Sequence, residues 1–233
     1  MSESAFLQVR DLCVSYGTSP VLFDVTLAAP SRGAVAVLGR NGAGKSTLLK
    51  TIVGELAPRS GSIAFNLQDM AGLPTERRIR SGLGYVPQEH SVFSGLSVRE
   101  NLAVSTLMNR DDSSMEQVLA WFPKLAQRLN QPAGTLSGGE RKMLAIGRAI
   151  LPNPKLLLLD EPTEGVWIGL IEEISERLRE LVKSIAVVIV EQHIELALNL
   201  AEYAYVLDRG RVALEGRASD MRKDPRLLQL LAP

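Results

Sequence analysis

Gly39-Arg40-Asn41-Gly42-Ala43-Gly44-Lys45-Ser46 is the stretch that decides the fold. It reads G-x-x-x-x-G-K-[ST], the pattern of a phosphate-binding loop. The apolar run Val35-Ala36-Val37-Leu38 before it predicts a buried strand. Lys45 to Val53 predicts a helix with Leu48, Leu49, Ile52 and Val53 on one side, ended by Gly54 with Pro58 beyond. Strand, glycine loop and helix together give the pattern a mechanism. The glycines let successive backbone N–H groups turn inward as an anion nest, and the helix N-terminus adds the positive end of its dipole. A lysine at position 45 can reach β- and γ-phosphates, and the Ser46 hydroxyl can ligate Mg²⁺.

The totals narrow the class. The chain has 233 residues, enough for one large domain or two small lobes. Hydrophobic residues make up 45% and charged residues 22%, the profile of a soluble globular protein. Lys+Arg and Asp+Glu are both 26, so bulk charge argues for neither nucleic acid nor an anionic membrane. Cys13 is the single cysteine, which excludes an internal disulfide and suits a strand or core position in a reducing compartment. Met1-Ser2-Glu3-Ser4 lacks a basic leader, and no apolar run approaches the ~18 residues of a membrane span. The expectation is a cytoplasmic protein that reaches a membrane only through a partner.

Around the loop, Phe6–Val9 and Val21–Leu27 read as strands flanking a turn with Gly17, Ser19 and Pro20, and Tyr16 stands before that turn. A turn at Arg59–Ser62 leads into Ile63-Ala64-Phe65, residues 75–81 read as a short helix, and Leu83–Gln88 reads as a strand stopped by Pro87. From Glu89 to about Leu151 the pattern is mostly helical, with helices expected over Val98–Met108, Met115–Leu129 and Gly138–Ile150. Lys155–Leu159 and Ile185–Val190 are continuous apolar runs that suit parallel strands covered on both faces, joined by a helix over Leu170–Lys183. A helix over Ile194–Ala201, a hairpin turning at Asp208-Arg209-Gly210 and a short helix over Pro225–Leu231 end the chain. The fold class is α/β: a nucleotide-binding core, an antiparallel lobe and an inserted helical lobe over about residues 89–151.

Two further stretches carry chemistry. Asp160-Glu161 ends the four-leucine strand, at the edge where open α/β sheets bind ligands. There the first carboxylate can hold Mg²⁺ and the second can orient and deprotonate a water. Leu136-Ser137-Gly138-Gly139-Glu140 opens a helix. Ser137 and Glu140 fit a capping box, and the same serine and glycines make a second anion site. A second γ-phosphate site in one chain has a use only if each serves a different nucleotide.

At this point the residues resemble the ATP-binding cassette ATPases. Leu136–Glu140 matches that family's signature, and its order relative to Gly39–Ser46 and Asp160-Glu161 matches too. Gln88 follows a strand as in the family's glutamine loop, His193 follows a strand like its switch histidine, and Tyr16 stands upstream like its adenine-stacking aromatic. The resemblance implies a P-loop NTPase (RecA-like) core with an antiparallel β subdomain and an inserted α-helical subdomain, the whole chain, residues 1–233, forming one nucleotide-binding domain. It implies ATP and Mg²⁺ as cofactors. Tyr16, Gly39, Arg40, Asn41, Gly42, Ala43, Gly44, Lys45, Ser46 and Thr47 would bind ATP in one chain. Ser137, Gly138, Gly139 and Glu140 would clasp ATP held by another, in a head-to-tail dimer. Ser46, Gln88 and Asp160 would hold the metal. Glu161, His193 and Gln88 would serve hydrolysis, Glu161 as general base. Two alternatives stay open on residue grounds: Tyr16 as a core aromatic, and Trp167 as either a dimer anchor or an ordinarily buried side chain.

Gly84–Gln88, Val98-x-Glu100-Asn101-Leu102 and Glu161-Pro162-Thr163-Glu164-Gly165 resemble ATPases of branched-chain amino acid importers and the related urea and short-amide importers. The resemblance implies membrane permease subunits, a second ATPase subunit and, indirectly, a solute-binding protein as partners, at the inner face of the plasma membrane. A lipid, lipopolysaccharide or export ATPase is the second reading. A soluble cassette protein acting on DNA or ribosomes is disfavoured by the single cassette and the lack of heptads or net basic charge, and a GTPase by the absence of Asn-Lys-x-Asp. Glu164-Gly165-Val166-Trp167 departs from the family, having no aspartate at position 167.

Overall fold

The computed structural model describes residues 5–89, 91–106 and 112–232. His90, Met1–Ser4 and the end of the helix expected to reach Met108 lie outside the described residues. In chain order the elements are β1 (Leu7–Tyr16), β2 (Ser19–Ala29), β3 (Gly33–Gly39), α1 (Lys45–Val53), β4 (Ser60–Phe65), β5 (Gln68–Asp69), α2 (Thr75–Arg80) and β6 (Leu83–Val86). Then come α3 (Val98–Thr106), α4 (Asp112–Trp121), α5 (Pro123–Ala126), α6 (Gly138–Ile150), β7 (Leu156–Asp160), α7 (Ile168–Leu181) and β8 (Ala186–Glu191). The chain closes with α8 (Ile194–Leu200), β9 (Tyr203–Asp208), β10 (Arg211–Arg217), α9 (Ala218–Met221) and α10 (Pro225–Leu231).

Two sheets organise these elements. The larger runs β10-β9-β3-β8-β7-β6, parallel except for the β9–β10 hairpin; the smaller, antiparallel one runs β2-β1-β4-β5. The large sheet is buried on both faces, which is why its strands read as unbroken apolar runs. Ala34, Ala36, Leu157, Leu159, Val187 and Ile189 join one core with residues of α6, α7 and α8. Their neighbours Val35, Val37, Leu156, Leu158, Val188 and Val190 join a second core with α1 and the small sheet. The period-two alternation of the strands thus divides each run between two cores.

The parallel direction decides where chemistry can collect. Leu38 pairs with Glu191 and Asp160 with Val190, so β3, β7 and β8 end at one edge. The β3 strand, which delivers the glycine loop, and β7, which delivers Asp160, are separated by β8. The segment expected to be helical, between β6 and β7, carries α3 to α6.

Some boundaries differ from the expectation for local reasons. β1 does not stop at Val9. It passes through an irregularity at Asp11, whose φ is +48 and whose N–H donates to the Thr26 hydroxyl, and it continues to Tyr16. The single helix expected over Met115–Leu129 is broken after Trp121, because Pro123 cannot donate to a helix interior and instead starts α5. The chain from 91 to 97 is loop, not helix, held by Asn101, whose side chain accepts from Phe93 N–H and donates to the carbonyls of Phe93, Leu96 and Ser97.

Candidate functional site: a phosphate loop under two carboxylates

The loop 39–44 carries β3 into α1 through backbone that only glycine adopts readily. Gly44 is the residue before the helix, with φ +104, and a Cβ there would lie 2.5 Å from Leu22 Cδ2. No side chain caps α1, so the N–H groups of its first turn are left to a ligand. Lys45 is buried at 4% exposure and donates to the carbonyls of Gly39 (2.8 Å) and Arg40 (3.1 Å). Its ammonium lies 3.3 Å from Glu161 Oε1. The Ser46 hydroxyl donates to Asp160 Oδ1 at 3.1 Å. Burial pushes the Asp160 carboxyl above the usual carboxylate range, and Glu161 acts the same way, while the Ser46 hydroxyl and Lys45 oppose them. A hydroxyl and a carboxylate converging in a buried position are hard oxygen donors that fit Mg²⁺.

Glu161 is 3% exposed and has φ +48, a left-handed conformation rare for a residue with a side chain. Its N–H donates to Val190 O at 2.9 Å, which turns the chain sharply out of β7. The carboxylate then stands between donors. Lys45 faces Oε1, while Gln88 Nε2 (3.3 Å) and Gln192 Nε2 (3.0 Å) face Oε2. Gln88 also donates to Glu164 Oε2 at 2.8 Å. Asn41, Gly42, Gly44, Lys45, Ser46, Thr47, Gln88 and Glu161 line one cavity of about 380 Å³ with Val21. Tyr16 is 47% exposed at the end of β1, so it is not a core aromatic.

At the end of β8 it is the neighbour of His193 whose side chain enters the site. His193 caps α8 with an exposed side chain, and it is its backbone N–H that is engaged, on Glu191 Oε2 at 3.4 Å. The side chain of this turn that reaches residues lining the cavity is that of Gln192, which donates to Asn41 Oδ1 (2.6 Å) as well as to Glu161. The turn itself is held by Glu191, 1% exposed. Its Oε1 accepts from Thr163 N–H (3.1 Å) and hydroxyl (2.7 Å), and its Oε2 accepts from Gln192 N–H (3.1 Å) and His193 N–H. Sequence reasoning missed both Gln192 and Glu191. A carboxylate closing a six-residue apolar strand, at the edge that already gathers the glycine loop and Asp160, was the available signal.

Ser137 and the glycines after it lie apart from this cavity. The capping box is formed: Glu140 N–H donates to Ser137 Oγ (3.3 Å) and Ser137 N–H to Glu140 Oε2 (2.9 Å). Glu140 Oε1 pairs with Arg128 at 2.9 Å. The Glu140 carboxylate is therefore engaged inside its own chain, which makes it a poor phosphate neighbour. Gly139 packs on Leu170 and Val166, while Ser137 and Gly138 are exposed. A cavity of about 750 Å³ beside them is lined by Gly138, Lys142, Glu164, Gly165 and, again, Gln88.

A family model described as ABC transporter matches residues 22–164, a span that contains the loop, Gln88, the Ser137 cap and both carboxylates. The chain belongs to the ABC transporter ATPase family. It is 41% identical over 216 residues to BraG, a high-affinity branched-chain amino acid transport ATP-binding protein of Pseudomonas aeruginosa, covering 91% of this chain and 93% of that one. It is 36% identical over 229 residues to LptB, a lipopolysaccharide export system ATP-binding protein of Escherichia coli, covering 94% of each. Among solved structures, an ATP-binding cassette of an ABC transporter in its ADP conformation superposes with a TM-score of 0.84 at 26% identity, over 97% of this chain and 98% of that one. This ABC ATPase has, among its described residues, no helix long and apolar enough to cross a membrane.

Proposed function

We propose that this ABC ATPase powers an importer of branched-chain amino acids or a related amide solute, as one of two ATPase subunits on membrane permease subunits, with a solute-binding protein upstream. The convergence of Lys45, Ser46 and Glu161 in one cavity, with Asp160 behind it on the Ser46 hydroxyl, carries the hydrolytic half of this reading. The 41% identity to a branched-chain amino acid transport protein carries the solute class, with lipopolysaccharide export as the second reading on a 36% relative of similar coverage.

In this reading the loop N–H groups from Gly39 to Thr47 and the Lys45 ammonium take the β- and γ-phosphates, and Tyr16 stacks on adenine. Lys45 exchanges Glu161 for phosphate, which frees the Glu161 carboxylate to accept a proton from water. Ser46, Asp160 and Gln88 would hold Mg²⁺, which supplies charge neutralisation at the phosphates. Gln88 and Gln192 keep Glu161 oriented through Oε2. Ser137 and Gly138 complete the site of a second copy. Trp167 and Ile168, 73% and 71% exposed just before and at the start of α7, stand next to Gly165 and its neighbour Gly138, and they supply the apolar anchors of that dimer face. The cavity of about 280 Å³ between β6 and α6, with Phe93 and Arg148 stacked at its rim, faces the permease.

The test is reconstitution of the complex with its permeases in lipid vesicles. Binding protein loaded with leucine should raise ATP hydrolysis above the unloaded level. Stimulation by lipopolysaccharide, with none by any amino acid or amide, would replace the importer reading with the export one.

A further inference from the structure

Lys142 belongs to none of the motifs above. It lies on α6, five residues after Ser137, and only 9% of it is exposed. Burial draws its ammonium below the usual lysine range, against the pull of Glu164, Asp160, Glu191 and Glu161. Burying such a group is costly unless it is fully used. Its ammonium donates to two main-chain carbonyls, Gln88 O at 2.9 Å and Glu161 O at 3.0 Å. These are the same two residues whose side chains meet at Gln88 Nε2–Glu161 Oε2.

The result is a closed frame with three corners: α6, the loop after β6 and the turn after β7. The turn needs it. Glu161 sits at φ +48 and precedes Pro162, and its peptide units are anchored on one side by Glu161 N–H to Val190 O. On the other side Lys142 donates to the Glu161 carbonyl at 3.0 Å, the shorter of its two bonds, the other coming from Glu164 N–H at 3.3 Å. Without Lys142 only the local Glu164 N–H holds that carbonyl, and the turn that carries the carboxylate loosens. A lysine suits this place: three donors, no acceptor, and a stem long enough to cross from a helix to two loops.

We propose that Lys142 is a positioning residue for ATP hydrolysis, holding Gln88 and Glu161 at their working separation and fixing both to the helix that begins at Ser137. The proposal rests on the reading of Glu161 as general base. It gives α6 two roles at once, since its N-terminus meets a partner's nucleotide while its first turns hold the chain's own carboxylate.

The test is steady-state ATPase kinetics of the full chain bearing K142M, K142R or K142Q, with E161Q as control. Methionine keeps the length and removes the donors. A loosened carboxylate should cut kcat by about 10- to 100-fold, while the KM for ATP, set by the loop, should stay within about threefold of wild type. Arginine, which can donate to both carbonyls, should recover most of the lost kcat. Glutamine, one atom shorter, should fall between the two. Wild-type kcat in folded K142M overturns the proposal, and so does an equal fall in K142M and K142R tracking a fall in melting temperature. If K142M fails to fold, wild-type kcat in K142Q overturns it instead. Full turnover in E161Q would remove the general-base reading itself, a result separate from any seen at position 142.

Discussion

Glu191→Gln is the sharpest structural test of the switch turn, because the two oxygens of Glu191 act only as acceptors. Oε1 takes two donors from Thr163 and Oε2 takes the N–H groups of Gln192 and His193. A glutamine must place its NH₂ on one side. Toward Gln192 and His193 it would face two backbone N–H groups, neither of which can become an acceptor. Toward Thr163 the hydroxyl can rotate and accept, but the Thr163 N–H is left without a partner in a buried position. The second arrangement is the cheaper, and an unpaired buried N–H costs about 1–3 kcal/mol. The two bonds to the remaining oxygen also lose their charge-assisted character. Taking about 2 kcal/mol in total, and about 2–4 °C per kcal/mol for a chain of this size, the melting temperature should drop by about 4–8 °C. Thermal and urea unfolding, followed by circular dichroism, read this directly. Glu191→Ala, which abandons all four donors, should lose more. A Glu191→Gln protein melting within about 1 °C of wild type would refute the acceptor-only account of this turn.

Gln192→Ala should lower kcat by about tenfold or more, and more than His193→Ala does, since the Gln192 amide is the group of that turn on Glu161; single-turnover ATP hydrolysis decides it. Mixing Lys45→Ala and Ser137→Arg chains should restore part of the ATPase activity that each lacks alone, because one composite site in the mixed dimer is intact; an absolute need for a different partner subunit would show as no recovery. The Glu140 carboxyl gives a pH signature. Burial raises its pKa, but Ser137 N–H, the Ser137 hydroxyl and Arg128 outweigh this and hold it below the usual value of 4.5. A depressed acid stabilises the fold above its unfolded-state value, and that contribution is lost as pH falls through the folded-state value. Urea midpoints should therefore fall more steeply below about pH 4.5 in wild type than in Glu140→Gln.

The sequence made legible what is local or strictly periodic. The phosphate loop was readable because anion binding demands glycines and a lysine at fixed spacing, and α1 begins at Lys45 as the spacing predicts. The buried strands were readable because both faces of the large sheet are covered. Lost were the features that arise from pairing at a distance. β1 runs on through Arg10-Asp11 because β2 supplies the Thr26 hydroxyl that satisfies the irregularity. The end of the helix expected to reach Leu129 was readable, since Pro123 was there to be weighed against apolar spacing.

The site shows the same division, and it explains which residues escaped. Asp160 and Glu161 advertise themselves as paired acids, but what fixes Glu161 is a set of contacts from the loop after β6, from α6 and from the turn after β8: Gln88, Lys142 and Gln192. Two of these act on the carboxylate and one on the carbonyl behind it. A contact to a main-chain carbonyl leaves no trace in spacing, because every residue has one. That His193 was singled out while Gln192 escaped has the same origin. A histidine is conspicuous by composition, whereas direction is set by the turn, and Glu191 fixes that turn by holding the N–H groups of both residue 192 and residue 193. With those two N–H groups gathered on one oxygen, the Gln192 side chain is turned toward Asn41 and Glu161, while that of His193 is left exposed at the start of α8. The residue that aims the switch is thus the buried carboxylate at the end of β8, immediately before Gln192.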